Sequence, residues 1–182
     1  VPIVVPAPPD FSVGTARRAL KDILEAVAPT ATVHKSWCFK VDAAGRVADV
    51  AALFGKKTTA DEDVVHCWMI GIEGDDFVRD SQGNLPVVGG NEIDYLYNLA
   101  VWGFFDFMLG TETRDSQDIV EEESELAKAT VLANPWLGLD NPAGLREVKP
   151  LYFPTIDVHP FPDGRDVHVA QGTMQIRIQR QT

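Results

Sequence analysis

The sequence predicts an α+β domain with two main helices packed on a mixed, mostly antiparallel sheet, in the order α-β-β-β-α-β-β. Three observations predict it. Residues 12–28 and 116–133 repeat apolar side chains at helical spacing. The segments between and beyond them alternate or run continuously apolar, as strands covered on one or both faces do. Helical and strand-like segments do not alternate regularly, which sets the chain apart from parallel β-α-β folds. A length of 182 residues suits a single domain over 1–182 with one core. Its 45% apolar and 24% charged residues are the balance of a chain that folds.

Each element has its own signal. Residues 1–11 contain Pro6-Ala-Pro-Pro9 and form an extended arm, because proline fixes φ and removes backbone donors. In 12–28 the apolar residues Ala16, Leu20, Ile23, Leu24 and Val27 make a helical stripe, Ser12 or Thr15 caps it and Pro29 lies just past its end. Its outer face carries Arg17, Arg18 and Lys21. Residues 33–41 alternate as a half-buried strand, with Val33, Trp37, Phe39 and Val41 on one face. The connection 42–63 is a long loop or insertion holding a short helix at 47–54 and a polar stretch. The nearly continuous apolar run 64–72 is a central strand, and 74–91, rich in Asp and Gly, is a second long loop. The aromatic-rich segment 93–108 is a long strand bent at Gly103, with a short helix as the alternative for its first half.

The second helix, 116–133, places Ile119, Leu126 and Ala133 inward with Val120 and Ala127 beside them, and Asn134-Pro135 stops it. Two strands close the chain, one including 151–153 and 156–161, the other 167–178. Between them Asp163-Gly164 suits the centre of a type I′ hairpin turn. That turn sets a register in which His159 faces His168, Asp157 faces Ala170 and Asp166 faces Phe161.

Charge and cysteine content exclude several classes. The net charge of −11, from 16 Lys and Arg against 27 Asp and Glu, repels nucleic-acid phosphate, so sequence-specific nucleic-acid binding is not expected. An acidic surface remains suited to a passage through which DNA slides. Cys38 and Cys67 are too few for a disulfide scaffold or a zinc ribbon, and free thiols in a reducing compartment are expected. No stretch approaches the roughly 20 apolar residues of a membrane helix, and Val1-Pro-Ile-Val-Val lacks the basic flank of a signal peptide. A soluble, unexported protein without membrane contact is the expectation.

Templates for catalysis are missing: there is no Gly-x-Ser-x-Gly elbow, no phosphate loop ending in Gly-Lys, and no His-Glu-x-x-His pair. His66 and Cys67 are adjacent, which on a strand sends them to opposite faces and spoils a dyad. No enzyme activity and no cofactor are expected. On the hairpin, Asp157, His159, Asp166 and His168 share one face in the expected register and are the candidate ligands should a transition metal bind. The plain reading of that face is a solvated one, and no metal is expected. On the second helix, Asp118, Glu121, Glu122 and Glu125 form an acidic stripe with few basic residues to compensate it. A partner surface or an aqueous channel suits such a stripe, and the Arg17/Arg18/Lys21 cluster of another copy could meet it head to tail.

Taken together, several segments resemble the tail-terminator, or tail-completion, proteins of long-tailed bacteriophages. They are the helix Ala16-Arg-Arg-Ala-Leu-Lys-Asp-Ile-Leu24, the strand opening Val33-His-Lys-Ser-Trp37, and the strand Val64-Val-His-Cys-Trp-Met-Ile-Gly-Ile72. Leu99-Ala-Val-Trp-Gly-Phe104, the acidic helix from Asp115-Ser-Gln-Asp-Ile119 and the closing Gly172-Thr-Met-Gln-Ile-Arg-Ile178 extend the resemblance over nearly the whole chain. It implies a virion protein, assembled in the host cytoplasm, that forms a homo-oligomeric ring, typically a hexamer, at the head-proximal end of the tail. The implied partners are other copies of itself, the tail-tube protein, the head-tail connector or stopper and, in sheathed phages, the sheath. It brings no catalytic residues. The chain departs from shorter members of the family in the loops 42–63 and 74–91. Two alternatives accompany this reading: another neck or baseplate component, and a cytoplasmic α+β enzyme or small-ligand or metal-binding module using the His159/His168 face.

Overall fold

The computed structural model describes residues 11–35, 55–57, 63–79, 82, 92–111, 113–140, 142–160 and 164–181. The expected arm before Phe11, the strand beyond Lys35, the short helix at 47–54 and Cys38 lie outside the described residues.

Helix α1 spans Val13–Val27. The Ser12 hydroxyl accepts from the Thr15 backbone N–H at 3.2 Å, which satisfies a donor that the first turn leaves without a helical partner. Pro29 has no N–H with which to continue the ladder past Ala28. Helix α2 spans Ser116–Ala133 and starts in a capping box, Asp115 accepting from the Asp118 N–H and Asp118 from the Asp115 N–H. Its C-terminus is closed by Asn134, whose side-chain amide donates to the Thr130 carbonyl at 2.8 Å.

The strands are β1 (Thr32–His34), β2 (Gly55–Lys57), β3 (Asp63–Phe77), β4 (Glu92–Asp106), β5 (Leu145–Val148), β6 (Tyr152–Pro160) and β7 (Asp166–Gln181). They run in the order β1-β3-β4-β7-β5, with β2 also on β3 and β6 also on β7. β1 pairs with β3 in parallel and every other pair is antiparallel. The fold is α+β with a mixed sheet, and no helix among the described residues is long and apolar enough to cross a membrane.

Both helices cover one face of the sheet. There α1 and α2 close over Trp68, Ile70, Leu99, Phe105, Met174 and Ile176 in the main core. On the opposite face Val65, Cys67, Met69, Phe104, Val167 and Val169 form a smaller cluster. The alternation of β3 is therefore His66, Trp68 and Ile70 toward the helices and Val65, Cys67 and Met69 away, so this central strand is covered on both faces and reads as a continuous apolar run.

Several expectations are corrected. Gly74–Phe77 is the end of β3, paired with Tyr95–Asn98 across a bulge at Ile72/Gly74, so the second loop is shorter than 74–91. β2 lies inside the first loop, and β5 adds a strand that the sequence did not signal. As expected, residues 93–106 are strand, with pairing continuous through Gly103, but the strand ends at Asp106, short of 108. Gly103 is there to make room: a Cβ would lie 2.5 Å from Phe105 Cε2 and 2.8 Å from Trp68 Cζ3. The inner face of α2 is Ser116, Val120, Ser124, Ala127 and Val131, while Leu126 and Ala133 face outward. Small residues let the helix sit close on an aromatic sheet, and the larger Leu126 is left to solvent.

Candidate functional site

Three cross-strand neighbours set up the site. His66 of β3, Phe105 of β4 and His168 of β7 are consecutive register partners, so they stand in one row across the sheet on the face beneath the helices. Both histidines are buried. The Phe105 ring packs against His66 at 5.3 Å between centroids and against the Trp68 ring edge-on at the same distance. Helix α2 spans this row. Ser116 meets His168 and Glu123 meets His66. Seven residues of helix rise about 10.5 Å, which matches two strand spacings of about 4.8 Å each.

At the β3 end, the Glu123 carboxylate receives His66 Nε2 at 3.0 and 3.1 Å and Trp68 Nε1–H at 3.1 Å. A carboxylate only accepts, so Nε2 carries the hydrogen, and Nδ1 is left for the Thr30 hydroxyl at 3.3 Å. The His66 and Glu123 side chains are 5% and 15% exposed. Above them lies a cavity of about 340 Å3, with Val27, Leu109, Ile119 and Leu126 as its apolar walls. Thr30, His66, Glu123 and an Arg114–Glu122 ion pair supply its polar groups.

At the β7 end the partner is neutral. Ser116 Oγ lies 2.9 Å from His168 Nε2, and Phe107 covers the ring at 4.4 Å between centroids. Burial lowers the His168 pKa below its ordinary value of 6.5, and the charge of Asp115 pulls it partway back. Next to it, the buried Asp106 carboxylate joins three segments, accepting from Val65 N, from Met108 N in the 3-10 turn Phe107–Leu109, and from Arg165.

The hairpin candidates do not assemble. β6 and β7 pair one residue away from the expected register: Val158 faces His168 and His159 faces Val167. Five residues, 161–165, separate the paired Pro160 and Asp166, and Arg165 is drawn to Asp106 instead of opening the strand. Asp157 and His159 therefore project from one face of the hairpin, Asp166 and His168 from the other. Among the described residues no group of three His, Cys, Asp or Glu is placed to hold a metal ion.

The acidic candidates on α2 are exposed, and each has a local partner. Asp118 belongs to the capping box, Glu121 accepts from Gln117, Glu122 pairs with Arg114 and Glu125 with Lys128. On α1, Lys21 pairs with Glu25, Arg17 is half-buried with its Nε enclosed and without a hydrogen-bond partner, and Arg18 is exposed. Sequence reasoning missed the His66–Glu123–Trp68 group. Its one local signal is a polar residue, His66, inside an apolar run, and its partner lies 57 positions away. No protein-family model matches the chain, and no curated protein matches it.

Proposed function

We propose that this chain is a structural protein of a long-tailed phage virion that forms a ring, expected to be hexameric, at the head-proximal end of the tail. There it ends tube polymerisation and docks the tail to the head connector. The observation that supports it is the exposure of large apolar side chains on separate elements, α2 and β6 among them. Leu126 (51% exposed) and Leu132 (70%) lie on the outer side of α2, and Tyr152 (60%) and Val158 (53%) lie on β6. A head-to-tail ring needs two different surfaces on each subunit, because a heterologous contact does not repeat the same patch. Exposed apolar groups are also what a subunit buries when it assembles. β6 pairs only with β7 among the described residues, so its outer edge is open to another chain. Arg18, on the outer face of α1, is the cation available to meet Asp118 or Glu121 of the next copy.

The test is the mass of the purified protein by light scattering, alone and with tail-tube protein. A ring of about six copies, lost in Leu132→Asp and weakened in Arg18→Glu, is the expected result. A monomer that ignores tube protein overturns the reading. The cavity over His66 favours a second reading, a small-ligand module, which expects such a monomer to be stabilised by a small ligand.

A further inference from the structure

The cavity between α1 and α2 has room for a group that the described part of the chain does not supply. Its volume of about 340 Å3 falls at the lower end of ligand-sized cavities, roughly 300–1,000 Å3. Its chemistry is directional: apolar walls lead down to a carboxylate. The Arg114 and Glu122 charges cancel at the rim. Glu123, at the floor, accepts hydrogen bonds from Trp68 and His66. Among the described lining residues no Arg or Lys pairs with that carboxylate, since Arg114 is held by Glu122. A half-buried charge of this kind favours an opposite charge, and apolar walls favour an aliphatic stem carrying it. Arginine and lysine side chains combine the two.

The mouth of the cavity indicates how such a side chain arrives. Leu126 is half-exposed at the rim, and Ala129 and Ala133 continue from it along the same side of α2 at helical spacing, both exposed. A free small cation would fill the cavity and leave this strip in water. A peptide segment would cover both. We infer that the cavity receives the arginine or lysine side chain of a partner protein, whose neighbouring apolar residues lie along Leu126, Ala129 and Ala133. The inference does not depend on ring formation, since any protein with that segment suffices.

The test follows the Trp68 indole N–H by 15N NMR on the full chain, its signal assigned by its loss in Trp68→Phe. Three probes are titrated: Nα-acetyl-argininamide, the blocked tripeptide Leu-Arg-Leu, and the same tripeptide with norleucine in place of arginine. The expected result is a shift with both arginine probes and binding of the tripeptide roughly tenfold tighter than the amide. The norleucine peptide should bind at least about tenfold more weakly than its arginine counterpart. Glu123→Gln should weaken both arginine probes by a similar factor. Because that change also touches the His66 and Trp68 hydrogen bonds, Leu126→Ala on the surface serves as the second variant and should reduce the tripeptide to the affinity of the amide. Absence of a shift with every probe overturns the proposal. Equal binding of the norleucine peptide overturns the cation, and equal binding of amide and tripeptide overturns the partner chain in favour of a free small cation.

Discussion

His66 and His168 stand on the same face of the same sheet, two strands apart beneath one helix, yet their surroundings differ. His66 has a charged partner, a hydroxyl on its second nitrogen and a cavity above. His168 has one neutral partner and an aromatic lid. The position of α2 makes the difference. Its first turn is anchored directly on β7, while two turns later Glu123 stands over β3 at the edge of space bounded by the end of α1. A buried imidazole is thus a helix anchor at one end of the row and the floor of a recess at the other, and residue type alone does not tell which.

The comparison breaks most completely where the two ends share a residue. Phe105 is fully buried between the histidines, and Phe105→Ala should destabilise the fold by about 3–5 kcal/mol, read as a shift of the urea midpoint, while altering the ring signals of both histidines. Gly103→Ala should cost about 1–3 kcal/mol by overpacking, because its Cβ would overlap the Trp68 and Phe105 rings. Glu123→Ala leaves the His66 and Trp68 donors without their acceptor and should cost about 1–3 kcal/mol, with the Trp68 indole signal moving and that of His168 unchanged. Ser116→Ala should cost about 1 kcal/mol and show the reverse pattern.

The smallest effect is on pH dependence. The folded state holds the His168 pKa below 6.5, so the unfolded chain takes up that proton first as the pH falls. The His168 contribution is complete above 6.5 and is lost progressively below it. His168→Gln should make unfolding less sensitive to pH across that window, and a slope identical to that of the parent would remove the role assigned to burial.

The features legible in the sequence were those decided locally. Ser12 marks the start of the first helix, Pro29 and Asn134-Pro135 mark the ends, and both helices lie within a residue of the expected 12–28 and 116–133. The central placement of β3 follows from its apolar run, and the opposite-facing His66 and Cys67 follow from strand geometry. What failed was decided at a distance. The hairpin register depends on Arg165 reaching Asp106, 59 positions away, and β7 cannot correct a wrong guess because Val167, His168, Val169 and Ala170 are all buried. The inward side of α2 depends on the rings beneath it, which favour Ser124 and Ala127 over Leu126. The His66–Glu123 contact joins an apolar strand to an acidic helix, and neither segment encodes the other.

The pairing of β4 with β7 has a mechanical consequence. All fifteen residues of β4 pair with β7 without a register shift, whereas among the described residues each outer margin of the sheet is built from two shorter strands, β1 with β2 and β5 with β6. Tension along the strands loads the bonds of the long ladder in shear, so many must yield at once. The same tension meets fewer bonds in each of the shorter marginal strands. A subunit held by its margins would give way there first, while the β4–β7 spine kept both histidines aligned under α2.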